Sequence, residues 1–106
     1  MGQKKILIID DEHTLLRLSQ IIFQRKGYAV SVALSVKEGR NHLVNNSPYD
    51  AVILDLMMPE ETGFDFLKWQ EAQAEPVKST PVIVNSAKNL TEDEKAYLVI
   101  DRKSVG

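Results

Sequence analysis

Two short apolar runs, each ending on a carboxylate, constrain this chain more than any other feature. Ala51, Val52, Ile53 and Leu54 lead into Asp55, and Pro59 follows shortly after. Lys5, Ile6, Leu7, Ile8 and Ile9 lead into Asp10, Asp11 and Glu12. Uninterrupted apolar runs bounded by charge or proline read as strands covered on both faces. A single Asp at a strand end is an ordinary turn former. Two such strands lying parallel and adjacent would instead crowd four carboxylates on one sheet edge, where open α/β sheets bind ligands. Carboxylates that close raise each other's pKa, and the cluster calls for a cation.

The rest of the chain fits a parallel sheet. Leu15, Leu16, Leu18, Ile21, Ile22 and Phe23 follow helical spacing between His13 and Lys26, and Gly27 is placed as a stop. Residues 28–33 read as a second strand. Ser35 and Glu38 make a capping box for a short helix to about Val44, which ends in the turn residues Asn45, Asn46, Ser47 and Pro48. The loop 59–63 opens a helix carrying Phe64, Phe66, Leu67 and Trp69. Residues 74–81 break that helix before a fourth strand at 82–84, and Thr91 with Glu94 caps a further helix. Strands alternating with helices at this spacing predict a doubly wound parallel sheet. Right-handed crossovers gather the strands' carboxyl ends on one edge. Asp10, Asp11 and Glu12, then Asp55, then Asn85 and Ser86 all fall there.

The 106 residues suffice for one domain with one core, read here as residues 1–106. A 43% hydrophobic and 26% charged composition is that of a globular protein. The net charge of -2, without a clustered Lys/Arg stripe, argues against direct nucleic-acid binding. There is no cysteine, hence no disulfide, thiolate metal site or cysteine nucleophile, which fits a cytoplasmic protein. No apolar run approaches membrane-spanning length.

Carboxylates without His or Cys suit a hard cation such as Mg²⁺, which retains several waters and is completed by a phosphate. Asp11 and Asp55 are the expected direct ligands, with Asp10 acting through water or a hydrogen bond. A carboxylate beside such an ion can also attack phosphorus in line. Ser86 would donate its hydroxyl to a phosphoryl oxygen. Taken singly, Asp10 or Asp11 would serve equally as a helix N-cap, Asp55 or Ser86 as a turn residue, and Glu12 as a solvated first-turn carboxylate.

At residues 6–12, 50–59 with Gly63 and Phe64, and 81–87, the chain resembles the receiver domain of two-component response regulators. The resemblance implies a flavodoxin-like α/β fold with strand order 2-1-3-4-5. It implies that Asp55 is the phosphoacceptor, that Asp10 and Asp11 hold Mg²⁺ with the Met57 backbone carbonyl as a further ligand, and that Ser86 is the switch hydroxyl. The phosphoryl donor would be a sensor histidine kinase, and a downstream effector protein would read the switch. The chain departs from the family at its carboxyl end, since no Lys-Pro or Lys-Gly follows Ser86. In one register Ser104 and Val105 begin the fifth strand and the expected Lys falls past Gly106; Lys103 is too early and Lys88 too close to Ser86. An incomplete fifth strand and an absent last helix would bare apolar surface, in either a shortened domain of low stability or a dimer that covers the gap.

Two rival functions are compatible with the same fold. A pseudo-receiver would work by protein contact without phosphate, and the absent Lys favours it. A haloacid-dehalogenase-like phosphatase would need a second Asp where Met57 stands, and lacks its general acid.

Overall fold

The computed structural model describes residues 3–55, 58, 61–86 and 104–105. The elements run β1 (Lys5–Ile9), α1 (His13–Arg25), β2 (Ala29–Ala33), α2 (Val36–Asn46), β3 (Ala51–Asp55), α3 (Gly63–Glu71), β4 (Val82–Ser86) and β5 (Ser104–Val105). All pairings are parallel, in the order β2-β1-β3-β4-β5. This is the doubly wound order expected from the sequence. Ser104 and Val105 pair with Ile83 and Val84, so the register that begins a fifth strand at Ser104 is the one observed. The Thr91/Glu94 helix, Lys88 and Lys103 lie outside the described residues.

The punctuation has identifiable causes. Gly27 takes a φ of 95° behind α1, a left-handed conformation that a side chain would oppose, and its N–H donates to Gln24 O at 3.0 Å. The Ser35 hydroxyl accepts from Glu38 N, while the Glu38 carboxylate reaches past the N-cap to accept from Leu34 N, so the expected capping box forms in half only. At α3 a full capping box joins Thr62 and Asp65, legible as a Thr-x-x-Asp spacing but not anticipated above.

Among the described residues, the two faces of the sheet are covered unequally. Leu7, Ile9, Val52, Leu54 and Val84 point into a core closed by Val36 and Leu43 of α2 and Phe66 and Leu67 of α3. Opposite, Ile6 and Ile8 meet Leu16 of α1 in a much smaller cluster. Of the apolar residues at helical spacing in α1, Leu16 is buried, whereas Leu15, Leu18, Ile21 and Ile22 are exposed.

One buried polar side chain holds the approach to β4. Gln70 is fully buried, and its amide donates to Val77 O at 3.0 Å and Thr80 O at 2.8 Å. Buried carbonyls without partners are costly, so Gln70 fixes the turn that delivers the chain to Pro81. Gln70→Leu keeps the volume but removes the amide from Thr80 O and leaves Val77 O only its bond from Thr80 N at 3.2 Å. It is expected to lower unfolding free energy by about 1–3 kcal/mol in urea titration.

Candidate functional site

The carboxyl edge takes shape from strand register. Ile9 pairs with Leu54 across β1 and β3, so Asp10 and Asp55 leave adjacent strands at the same level. Asp10 N is held by Ala33 O at 3.0 Å, which extends the β1–β2 pairing one residue into the loop. Between β3 and β4 the register shifts after Leu54, and the pairing that was Leu54 with Val84 resumes as Asp55 with Ser86. Such bulges re-aim residues beside sites. Here the bulge sets Ser86, rather than Asn85, against Asp55.

The expected carboxylates converge. One oxygen each from Asp10, Asp11 and Asp55 lies within 4.8 Å of the others, with Asp10 buried, Asp55 half-buried and Asp11 exposed. Burial raises the Asp10 pKa above the ordinary value of 3.8, and the nearby Asp55 and Asp11 charges and a hydrogen bond to Asp55 raise it further. The Glu12 N–H, donating to Asp10 Oδ1 at 2.9 Å, opposes them. Three carboxylates at this spacing, one of them destabilised in its charged form, fit a hard cation with oxygen ligands.

Glu12 departs from the first-turn expectation. It is the N-cap of α1, and its carboxylate accepts from Thr14 N at 2.9 Å. That bond turns it toward the helix, and it does not join the carboxylate group. Of the two N-cap candidates, Asp10 does accept a backbone N–H, that of Glu12, but lies too early to be the cap itself. Met57, expected as a carbonyl ligand, lies outside the described residues, as does the side chain of Ser86. A contact with no sequence signal joins α2 to the loop after β3. Arg40 Nη1 and Nη2 donate to Glu61 Oε2 and Oε1 at 2.6 and 2.8 Å.

A parallel sheet with three Asp carboxylates gathered at its carboxyl edge is an α/β domain whose chemistry-bearing residues lie where open sheets of this kind bind ligands. Residues 6–104 match the response regulator receiver domain, and the chain belongs to that family. It is 33% identical over 94 residues to the response regulator ArlR of Staphylococcus saprophyticus, covering 89% of this chain and 40% of that protein. It is 35% identical over 88 residues to the response regulator SaeR of Staphylococcus aureus, covering 83% of this chain and 36% of that protein. The chain thus spans about two fifths of the length of these relatives. Among solved structures, the N-terminal domain of a response regulator receiver protein from Methanoculleus marisnigri superposes with a TM-score of 0.81 at 28% identity, over 96% of this chain and 81% of that one. Vibrio cholerae chemotaxis protein CheY4, at 24% identity, shares the fold with a TM-score of 0.85 over 98% of this chain and 84% of that one.

The raised Asp10 pKa has a testable sign. The native state binds the Asp10 proton more tightly than the unfolded chain does, so ionised Asp10 destabilises the fold above its native pKa. That penalty disappears as pH falls through the native pKa toward 3.8. Without divalent cations, Asp10→Asn is therefore expected to raise the melting temperature at pH 7, with the advantage vanishing near pH 3.8. Mg²⁺ is expected to stabilise the parent and to do so much less for the variant, as read by calorimetry with and without chelator.

Proposed function

We propose that residues 1–106 form a phosphoacceptor receiver domain in which Asp55 takes a phosphoryl group from a histidine kinase. The observation that carries this reading is the approach of Asp10, Asp11 and Asp55 to within 4.8 Å at the end of β1 and β3. Asp10 and Asp11 would hold Mg²⁺ together with Asp55 and the Met57 carbonyl. The ion would offset charge on the phosphoryl oxygens and on the crowded carboxylates.

An Asp55 carboxylate oxygen attacks phosphorus from the side opposite the leaving nitrogen. The O–P bond forms as the P–N bond of the phosphohistidine breaks, and the electron pair returns to the imidazole. Asp10, buried and bonded through Glu12 N, keeps its carboxylate oriented toward the same site. Ser86, brought into register with Asp55 by the bulge, donates its hydroxyl to a phosphoryl oxygen and so couples the acceptor to β4. The domain accepts the group without turning over substrate, and an effector protein reads the altered edge.

Setting follows from the same reading. A receiver of this kind works in the cytoplasm beside the kinase's catalytic portion, without contacting nucleic acid itself. Among the described residues no helix is long and apolar enough to cross a membrane. A second copy would dock through the carboxyl-terminal face of the domain, where exposed Ile83 of β4 lines a groove of about 520 Å³ with Phe23 and Ile53.

Intact mass after incubation with acetyl phosphate tests the proposal. One added phosphoryl group is expected, requiring both Mg²⁺ and Asp55 and absent from Asp55→Asn. A folded sample that gains no mass would support the pseudo-receiver instead.

A further inference from the structure

Parallel sheets occur with both faces covered, and on the α1 face of this one a row of isoleucines runs out from under its cover. Ile8 of β1, Ile53 of β3 and Ile83 of β4 stand in register across the sheet. Ile8 lies in the cluster with Leu16 of α1 and is buried, whereas Ile83 is 37% exposed although β4 has a strand on either side. The groove of about 520 Å³ opens there, with Ile6, Ala51, Ile53 and Ile83 from the strands and Ser19 and Phe23 from α1 along one wall. Lys4 and Asp50, which precede β1 and β3, line it at the amino edge of the sheet.

The wall of this groove is also a ridge. Leu15, Leu18 and Ile22 follow one another at helical spacing along α1 and are 54%, 52% and 44% exposed. Ser19 and Phe23, each one residue past Leu18 and Ile22, turn the neighbouring stripe of the helix into the groove. Contiguous apolar surface of this kind marks a contact site on a protein's exterior. Ridge and groove therefore lie side by side on one face, and both run between the carboxyl and amino edges of the sheet.

A ridge beside a groove complements itself under a twofold axis parallel to the ridge, because each copy's ridge then enters the other's groove. Charge fits the same axis. The end of α1 is tied to the amino edge, where Gln3 Nε2 donates to Gly27 O at 3.1 Å, so Arg25 in its last turn lies at the same edge as Asp50. Lys5 N donates to Asp50 Oδ2 at 2.7 Å and holds that carboxylate at the groove's end. Arg25 and Asp50 are exposed, and among the described residues neither is in an ion pair. An axis along α1 keeps both edges on their own sides and so brings Arg25 of one copy to Asp50 of the other. Lys4 at the same rim is exposed and can extend its ammonium into water.

We propose that the groove is filled by α1 of a second copy, in a symmetric dimer in which Leu18 and Ile22 of each chain pack on Ile53 and Ile83 of the other and Arg25 pairs with Asp50 across the axis. It rests on the second copy named above and adds which element enters the groove and in which direction.

Sedimentation equilibrium on the full chain tests it, with thermal melting to establish folding. The parent is expected to dimerise with a dissociation constant of about 1–100 μM. Leu18→Glu sets a carboxylate against the partner's isoleucines and is expected to weaken the dimer about thirtyfold. Arg25→Glu is expected to weaken it about fivefold, and Arg25→Glu combined with Asp50→Lys to recover most of that loss. The chain has no cysteine, so an equimolar mixture of Leu18→Cys and Ile83→Cys chains is expected to form a mixed disulfide ahead of either like pair.

A folded parent that sediments as a monomer at about 1 mM would overturn the proposal, leaving the groove to a different occupant. A dimer that Leu18→Glu does not weaken, or whose mixed disulfide forms no faster than the like pairs, would overturn it too and place the contact on another surface. Should Ile83→Cys fail to fold, Leu18→Glu decides, since Leu18 is exposed and lies outside both core clusters. Labelling of the same samples with acetyl phosphate separates this result from the receiver reading. A dimer that gains no mass keeps the ridge and groove and removes the phosphoacceptor, and a monomer that gains mass does the reverse.

Discussion

Repulsion among carboxylates at the end of β1 and β3 is the constraint on which the rest of this structure turns. Parallel pairing brings Asp10 and Asp55 to one level, and Asp11 follows on the loop. The cost is visible in Asp10, whose carboxyl is held above its ordinary pKa by burial and by its neighbours. A fold selected for stability alone would place apolar or hydrogen-bonding residues there. Retaining three acids at a half-buried edge makes structural sense if a cation and a phosphoryl group share the site, and the family to which the chain belongs agrees with that chemistry.

Around that edge, the scaffold spends its packing on holding strand ends still. The larger core lies beneath α2 and α3, where Leu7, Ile9, Val52, Leu54 and Val84 are fully or almost fully buried. Close approach of Gly39 to Ile9 seats α2 against the strand that delivers Asp10. Gln70 then ties the turn before β4 by two buried hydrogen bonds, so the strand carrying Ser86 enters the sheet at a defined point. Among the described residues the opposite face has α1 and a small cluster, with Leu15, Leu18 and Ile22 exposed. Among the described residues, the larger core lies on the α2–α3 side.

How much of this could be read from residues alone varied with the range of the interaction. Apolar runs of β1 and β3 were legible because each buries both faces and is bounded by charge or proline. Local devices, such as Gly27 behind α1 and Ser35 before α2, were legible because cap and helix lie within a few residues. The role of Glu12 was misread because its carboxylate had two options, solvent or Thr14 N, and the choice depends on the backbone angle at which β1 releases the chain. Which apolar residues of α1 are covered was not legible, because helical spacing shows which residues share a face but not what lies against it.

From the sequence alone followed the strand and helix succession, the parallel sheet, and the convergence of Asp10, Asp11 and Asp55. These depend on periodicity and on the handedness of crossovers, both of which act over short stretches or follow a general rule. Tertiary structure alone decided the bulge that sets Ser86 rather than Asn85 against Asp55, the bidentate grip of Arg40 on Glu61, and the burial of Gln70. Each of these joins segments whose relative placement exists only once the sheet has closed and the helices have docked on it. A distance between residues far apart in the chain is a property of packing, and no local pattern encodes it.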